Sequence, residues 1–267
     1  MGQILDSFFY GIYEQFSDDT LRPERPPLSG SSGIQALNRA EQLDGYIAAV
    51  NNSATNSAAR RNTAYLPSPH TVPIPIPPAD PKGPWPNGQV IWMDPSAENG
   101  LPHTRDPYYI CLPSNMPIDS IPSTLTHERI HVSQRLHPDV WVSILEDVWD
   151  MKPWSGSFPS SIAARIRLNP DLVTAPLFRW KNLWVPIGVF KSLANPVLKE
   201  IDILWWNTES RIFLAEPPPG WTDFFGVNKS GEHAYELAAY ILTAADKNNR
   251  AYQAIKPRLS SIPTVEV

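Results

Sequence analysis

The chain has 267 residues, a formal net charge of −5 and 18% charged residues. That length suits one sizeable globular domain, and the absence of a basic surplus argues against nucleic acid as a partner. A single cysteine, Cys111, excludes an intrachain disulfide framework and a cysteine-based zinc finger, and suits a reducing compartment.

Taken in chain order, Ile4, Leu5, Phe8, Phe9, Ile12, Tyr13 and Phe16 fall at helical spacing and predict an amphipathic helix that docks on the domain or on a protein partner. Its polar face carries acids rather than Lys and Arg, unlike a membrane-surface helix. The segment lacks a basic n-region and carries Asp6 and Glu14, so it does not read as a secretory signal. Asp6 also stands where a myristoylation motif wants Ser or Thr. No apolar run approaches the ~20 residues of a membrane span. The expected location is therefore cytoplasmic.

Pro23, Pro26, Pro27 and the run SGSSG form a linker. A second helix is marked by Ile34, Leu37, Leu43, Tyr46, Ile47 and Val50. Together these predict a helical extension over residues 1–65, followed by a main domain over 66–267. The main domain opens on a proline-rich strap, residues 66–86, where Val72, Ile74 and Ile76 alternate with prolines and are candidates for burial. Two short strands follow, Gln89–Met93 and Tyr108–Leu112. After Pro122 the period becomes helical, with Ser123 as the expected N-cap and Pro138 as the stop. Pro138 then opens a helix whose buried face is Val140, Trp141, Ile144, Leu145, Val148 and Trp149. The middle region is harder to read: ARIRLNPD, the segment from Trp180 to Phe190 and NPVLKEIDILWW are apolar but broken by prolines. A last helix starts near Gly231.

The first of those helices contains His127-Glu128-Arg129-Ile130-His131. Residues i and i+4 share one helical face, so two imidazoles there can grip one metal ion while Glu128 stands ready to take a proton from water. A catalytic zinc takes three protein ligands and keeps a position open. The third ligand is expected from the last helix, where Glu236, His233 and Glu232 compete. Glu236 leads, because its neighbours Ala238 and Ala239 allow close helix packing. Gln134 is placed to orient a ligand. Tyr240, His103, Arg167 and His233 are candidate donors to a developing oxyanion. Arg167, Asn169 and Asp171 either shape the cleft or form an Asn-Pro turn. Cys111 reads as a buried strand residue.

HERIH followed by a helical glutamate resembles the gluzincin zinc metallopeptidases. The order GLPHTR, YYICLP, HERIHVSQR, RLNPD and EHAYELAAY is similar to a set of HExxH proteins of large DNA viruses and protists. That resemblance spans roughly residues 88–245 and implies a zincin-like α+β domain, zinc held by His127, His131 and Glu236, Glu128 as general base, and a peptide or protein substrate. Ala234 departs from it, standing where the pattern has proline. Two other classes compete. One is a structural or virion component that keeps a zinc site without turnover, which adds a virion-associated location as the alternative to a cytoplasmic one. The other is a non-peptidase hydrolase, favoured if no extended peptide fits beside Tyr108–Leu112.

Overall fold

The computed structural model describes residues 25–74, 76, 84–226, 231–244 and 247–264. The amphipathic helix expected over residues 4–16 and part of the proline-rich strap lie outside them. The described chain is a mixed α+β structure built on two sheets.

The first sheet contains β1 (Gln89–Met93), β2 (His103–Arg105) and β3 (Tyr109–Pro113) in the order β1-β3-β2. Strand β3 is central, parallel to β1 and antiparallel to β2. Both β1 and β3 are buried throughout, which explains their near-continuous apolar sequences. Ile91, Met93, Tyr109 and Cys111 face α1 (Gly30–Asp44), packing on its Ala36, Leu37 and Ala40. Val90, Trp92, Ile110 and Leu112 face the other way, onto Ile121, Leu125 and Val132 of a later helix, with Val72, Ile74 and Ile76 half-buried against them. The strap therefore covers apolar surface through the residues that alternate with its prolines.

Helices α2 (Tyr46–Asn51) and α3 (Ala54–Arg60) complete the N-terminal segment. Hydrogen bonds and ion pairs cross the division expected at residue 65. Leu28 accepts from Trp92 N–H and donates its own N–H to Val90, so the chain lines the outer edge of β1 before α1 begins. Asp44, at the end of α1, takes a paired bond from the fully buried Arg105, Nε to Oδ2 at 2.7 Å and Nη2 to Oδ1 at 2.7 Å. Arg60 pairs with Glu98 at 2.9 Å, and Asn56 donates to Ile166 O at 2.8 Å. A periodicity reading sees the SGSSG run as a boundary, but it cannot see that the acids of α1 answer a buried arginine 61 residues away. Removing one partner of such a pair leaves an uncompensated interior charge. Asp44→Ala is expected to cost about 3–5 kcal/mol in urea unfolding; a loss below about 1 kcal/mol, the scale of an exposed pair, would show that Arg105 does not need this carboxylate.

Helix α4 (Ile121–Leu136) follows a 3-10 turn at Ile118–Ser120. It begins before the expected N-cap. Pro122 lies in the first turn, where a missing N–H costs nothing, and Ser123 is already helical, its Oγ donating to Ser120 O at 3.1 Å. Helix α5 (Pro138–Trp149) opens on Pro138 and buries Trp141, Ile144, Leu145 and Trp149.

The second sheet, among the described residues, is an antiparallel meander of β4 (Met151–Trp154), β5 (Leu177–Trp180), β6 (Trp184–Phe190), β7 (Ile201–Asn207) and β8 (Phe213–Leu214). Short helices α6 (Ser160–Ala163) and α7 (Trp221–Phe225) punctuate it. Helices α8 (Ala234–Thr243) and α9 (Arg250–Ile255) end the fold. Ala234, Leu237, Ala238 and Ala239 of α8 are fully buried in one cluster with Ile130 of α4, so small side chains bring these two helices close. No helix among the described residues is long and apolar enough to cross a membrane.

Candidate metal centre

On α4, His127 and His131 stand one turn apart with their Nε2 atoms 3.2 Å from each other. Helix α8 presents Glu236 to both, its Oε2 lying 3.5 Å from His127 Nε2 and 3.6 Å from His131 Nε2. Donors that hold a tetrahedral zinc at ~2.0–2.1 Å are roughly 3.3 Å apart. The three atoms have that spacing, and they form the one group of candidate metal ligands found among the described residues.

The surrounding hydrogen bonds fix which atoms face the centre. Gln134 Nε2 donates to Tyr235 O at 3.1 Å, which sets the orientation of its amide. Gln134 Oε1 must then accept from His131 Nδ1, 2.8 Å away, leaving the Nε2 lone pair directed at Glu236 and His127. Glu236 Oε1 accepts from Asn169 Nδ2 at 2.6 Å, leaving Oε2 for the centre.

The imidazoles and the carboxylate at this site bias one another's ionisation. Burial pushes the His131 imidazole down, but the Glu236 and Asp171 carboxylates outweigh it and hold its pKa up at about 10. Burial likewise opposes ionisation of Glu236, yet the His131 and His127 imidazoles keep its carboxyl well below the usual carboxylate range. A divalent ion supplies the same positive charge without protonating either ring, and an imidazole–imidazole–carboxylate donor set suits zinc.

Glu128 is buried beside this group, and its Oε2 has no hydrogen-bond partner among the described residues. Burial first, and the Asp171 carboxylate next, push its carboxyl well above the ordinary range. Tyr240 lies half-exposed at the rim with its ring edge-on to His127, centroids 4.9 Å apart. Burial and Glu236 push its phenol up to about 12, so it keeps its proton as a donor. A cavity of about 710 Å³ opens beside these residues, walled by His127, Glu128, Glu236 and Tyr240 and continuing past Ile201 and Ile203.

Other residues expected at the site have different employment. His233 is the N-cap of α8: its Nδ1 accepts from Tyr235 N–H at 3.1 Å and its Nε2 donates to Pro176 O at 2.9 Å. Burial lowers its pKa to about 4. With both ring nitrogens engaged it is neither ligand nor oxyanion donor. His103 is similarly occupied, by Tyr65 Oη at 2.9 Å and Leu101 O at 3.1 Å. Glu232 turns to Arg167 and to Asn169 Nδ2, the latter at 3.0 Å. Arg167, thus paired, is not a free oxyanion donor.

Asn169 serves as both turn former and site residue. Its Oδ1 accepts from Asp171 N–H at 3.0 Å, capping the 3-10 turn Pro170–Leu172. Asp171 Oδ1 in turn accepts from Thr104 N–H at 2.6 Å and from Thr104 Oγ1 at 2.7 Å. Arg135 was not anticipated. It joins Asp106 at 2.9 Å, donates to Thr104 O at 3.3 Å and donates to Pro170 O at 2.5 Å, bracing the same turn from α4. Its place directly after Gln134 was the available signal.

Because Gln134 is the partner that sets the His131 tautomer, Gln134→Ala is expected to weaken zinc binding about 10–100-fold in competition with a chromophoric chelator. Unchanged affinity would mean that His131 is oriented by packing alone. The chain matches no protein-family model, no curated protein and no solved structure.

Proposed function

We propose that this protein is a zinc-dependent hydrolase of gluzincin type, acting on peptide or related acyl bonds. The observation that carries the reading is the convergence of His127 Nε2, His131 Nε2 and Glu236 Oε2 at zinc-ligand spacing, with the Glu128 carboxylate alongside, its Oε2 without a hydrogen-bond partner among the described residues. Zinc, when bound, supplies the Lewis-acid charge that acidifies water and polarises a carbonyl. Glu128 is the general base. Burial and the Asp171 carboxylate raise its proton affinity, which favours a carboxylate that takes a proton from water and returns it to a leaving group. Tyr240 donates a hydrogen bond to the substrate carbonyl oxygen as negative charge develops there. The zincin-like description of the domain belongs to the same proposal. It rests on a small sheet against the HExxH helix α4 and on a later helix, α8, that brings the third ligand.

A second reading within this chemistry draws support from the first sheet. Strand β3 was the expected bed for an extended peptide, yet β1 and β2 pair with it on either side. At β2 the outward N–H and C=O of Thr104 are taken by Asp171 and Arg135. This favours a compact amide or ester over a long extended peptide.

The test is a hydrolysis screen of the zinc-loaded protein on unfolded proteins, short peptides and small acyl amides and esters, each with a chelator control. Chelator-sensitive turnover of any class supports the hydrolase, and the class chooses between the two readings. One zinc per chain with no turnover of any substrate would put the structural reading in front.

A further inference from the structure

The metal ligand Glu236 is held by a chain of contacts that ends far from the HExxH helix, on a glycine of the second sheet. Asn169 is its middle member. Its amide donates to Glu236 Oε1 at 2.6 Å and to Glu232 Oε1 at 3.0 Å, while its carbonyl accepts from Asp171 N–H at 3.0 Å. A primary amide can do this: two N–H donors for two carboxylates and an oxygen for the backbone. Aspartate would set a third carboxylate against the other two.

Glu232, the next member, is buried. Its Oε1 also accepts from Arg167. Its Oε2 has no hydrogen-bond partner among the described residues and lies over Gly188 of β6, where an added Cβ would overlap it. Gly188 also accepts the Arg167 backbone N–H at 3.0 Å. One residue therefore seats both halves of the Arg167–Glu232 pair, and it does so because it has no side chain. Its backbone lies outside the left-handed region, so close approach, not backbone conformation, is what calls for glycine.

We propose that Gly188 is a positioning residue for the metal centre, setting the carboxylate of Glu236 through Glu232, Arg167 and Asn169. This rests on zinc being held by His127, His131 and Glu236. The order of effects is geometric. A methyl at 188 displaces the Glu232 carboxylate, Asn169 loses one of the two acceptors that fix its amide, and Glu236 Oε1 loses a donor aligned on it. The carboxylate is then free to rotate away from the two Nε2 atoms. Outer-shell partners of this kind change metal affinity by about 10–100-fold.

The test is a double-mutant cycle on zinc affinity, read by chelator competition on wild type, Gly188→Ala, Asn169→Ala and the double variant, with the melting temperature of each metal-free protein as the folding control. Each single variant is expected to weaken zinc about 10–100-fold, and the double no more than the weaker-binding single, because both act on one carboxylate. Zinc affinity within twofold of wild type for Gly188→Ala, or losses that simply multiply, overturns the proposal. If Gly188→Ala does not fold, Glu232→Ala, which removes the acceptor that Gly188 seats against Asn169, takes its place in the cycle, with the same expectation and the same overturning results. A wild-type protein that binds no zinc would instead sink the reading beneath it, so the two failures are distinguishable.

Discussion

Glu128→Gln is expected to leave zinc bound at one ion per chain and to lower hydrolysis by about 100- to 10,000-fold. The substitution keeps the size and shape of the side chain and removes its capacity to take a proton. Glu128 is not among the three atoms that converge on the metal position, so affinity should change little. Its Oε2 lacks a partner among the described residues, so the amide breaks no hydrogen bond at that atom. Stability should hold or rise slightly, because burial and the Asp171 carboxylate already disfavour the charged form. Metal content by mass spectrometry and turnover of whichever substrate the screen yields separate the two effects. Full activity in the zinc-loaded variant would remove Glu128 from the reaction.

Glu236→Ala is expected to abolish stoichiometric zinc and, with it, the dependence of the melting temperature on zinc. Two of the proposed ligands lie on α4 and one on α8, so a bound ion would tie together helices whose contact is otherwise made by small apolar side chains. A ligand that binds the folded state stabilises it by about 4 kcal/mol at a thousand times its dissociation constant. Wild type should therefore melt progressively higher as free zinc is raised, and Glu236→Ala should not. His233→Ala provides the contrast. It should keep the metal and lose some stability, because His233 caps α8 and has both ring nitrogens engaged elsewhere. If instead zinc is lost in His233→Ala and kept in Glu236→Ala, the third ligand has been misassigned.

The HExxH pair was legible because helical geometry is local: spacing i to i+4 fixes one face whatever surrounds it. That Glu236 faces this pair was legible in part, since the small residues after it signal close helix packing, but spacing alone left His233 and Glu232 in contention. What separated them was the start of α8. An imidazole caps the helix, a role usually filled by Ser, Thr, Asp or Asn, so His233 carried no sequence mark of its use. The second sheet was illegible for a related reason. Prolines at 153, 176 and 186 fall inside or beside its strands, and they read as breaks where the fold tolerates them. Strands β1 and β3 announced themselves by runs of buried apolar residues. That β3 lies between β1 and β2 did not follow, because pairing order depends on contacts distant in sequence.

The stitching of residues 28–60 onto the first sheet bears on where this protein can be cut. A polypeptide beginning at residue 66 would retain every residue of the proposed catalytic apparatus and still lack the carboxylates that neutralise Arg105. It would also lose the helix that dries Ile91 and Cys111, and the backbone that occupies the outer edge of β1 at Val90 and Trp92. Such a piece would present an open strand edge and an unpaired interior charge, the recipe for a sticky fragment rather than a minimal enzyme. The seam that composition draws at residue 65 is thus bridged by paired charges and backbone bonds, and trimming there would uncover the face of the first sheet that Ala36, Leu37 and Ala40 cover.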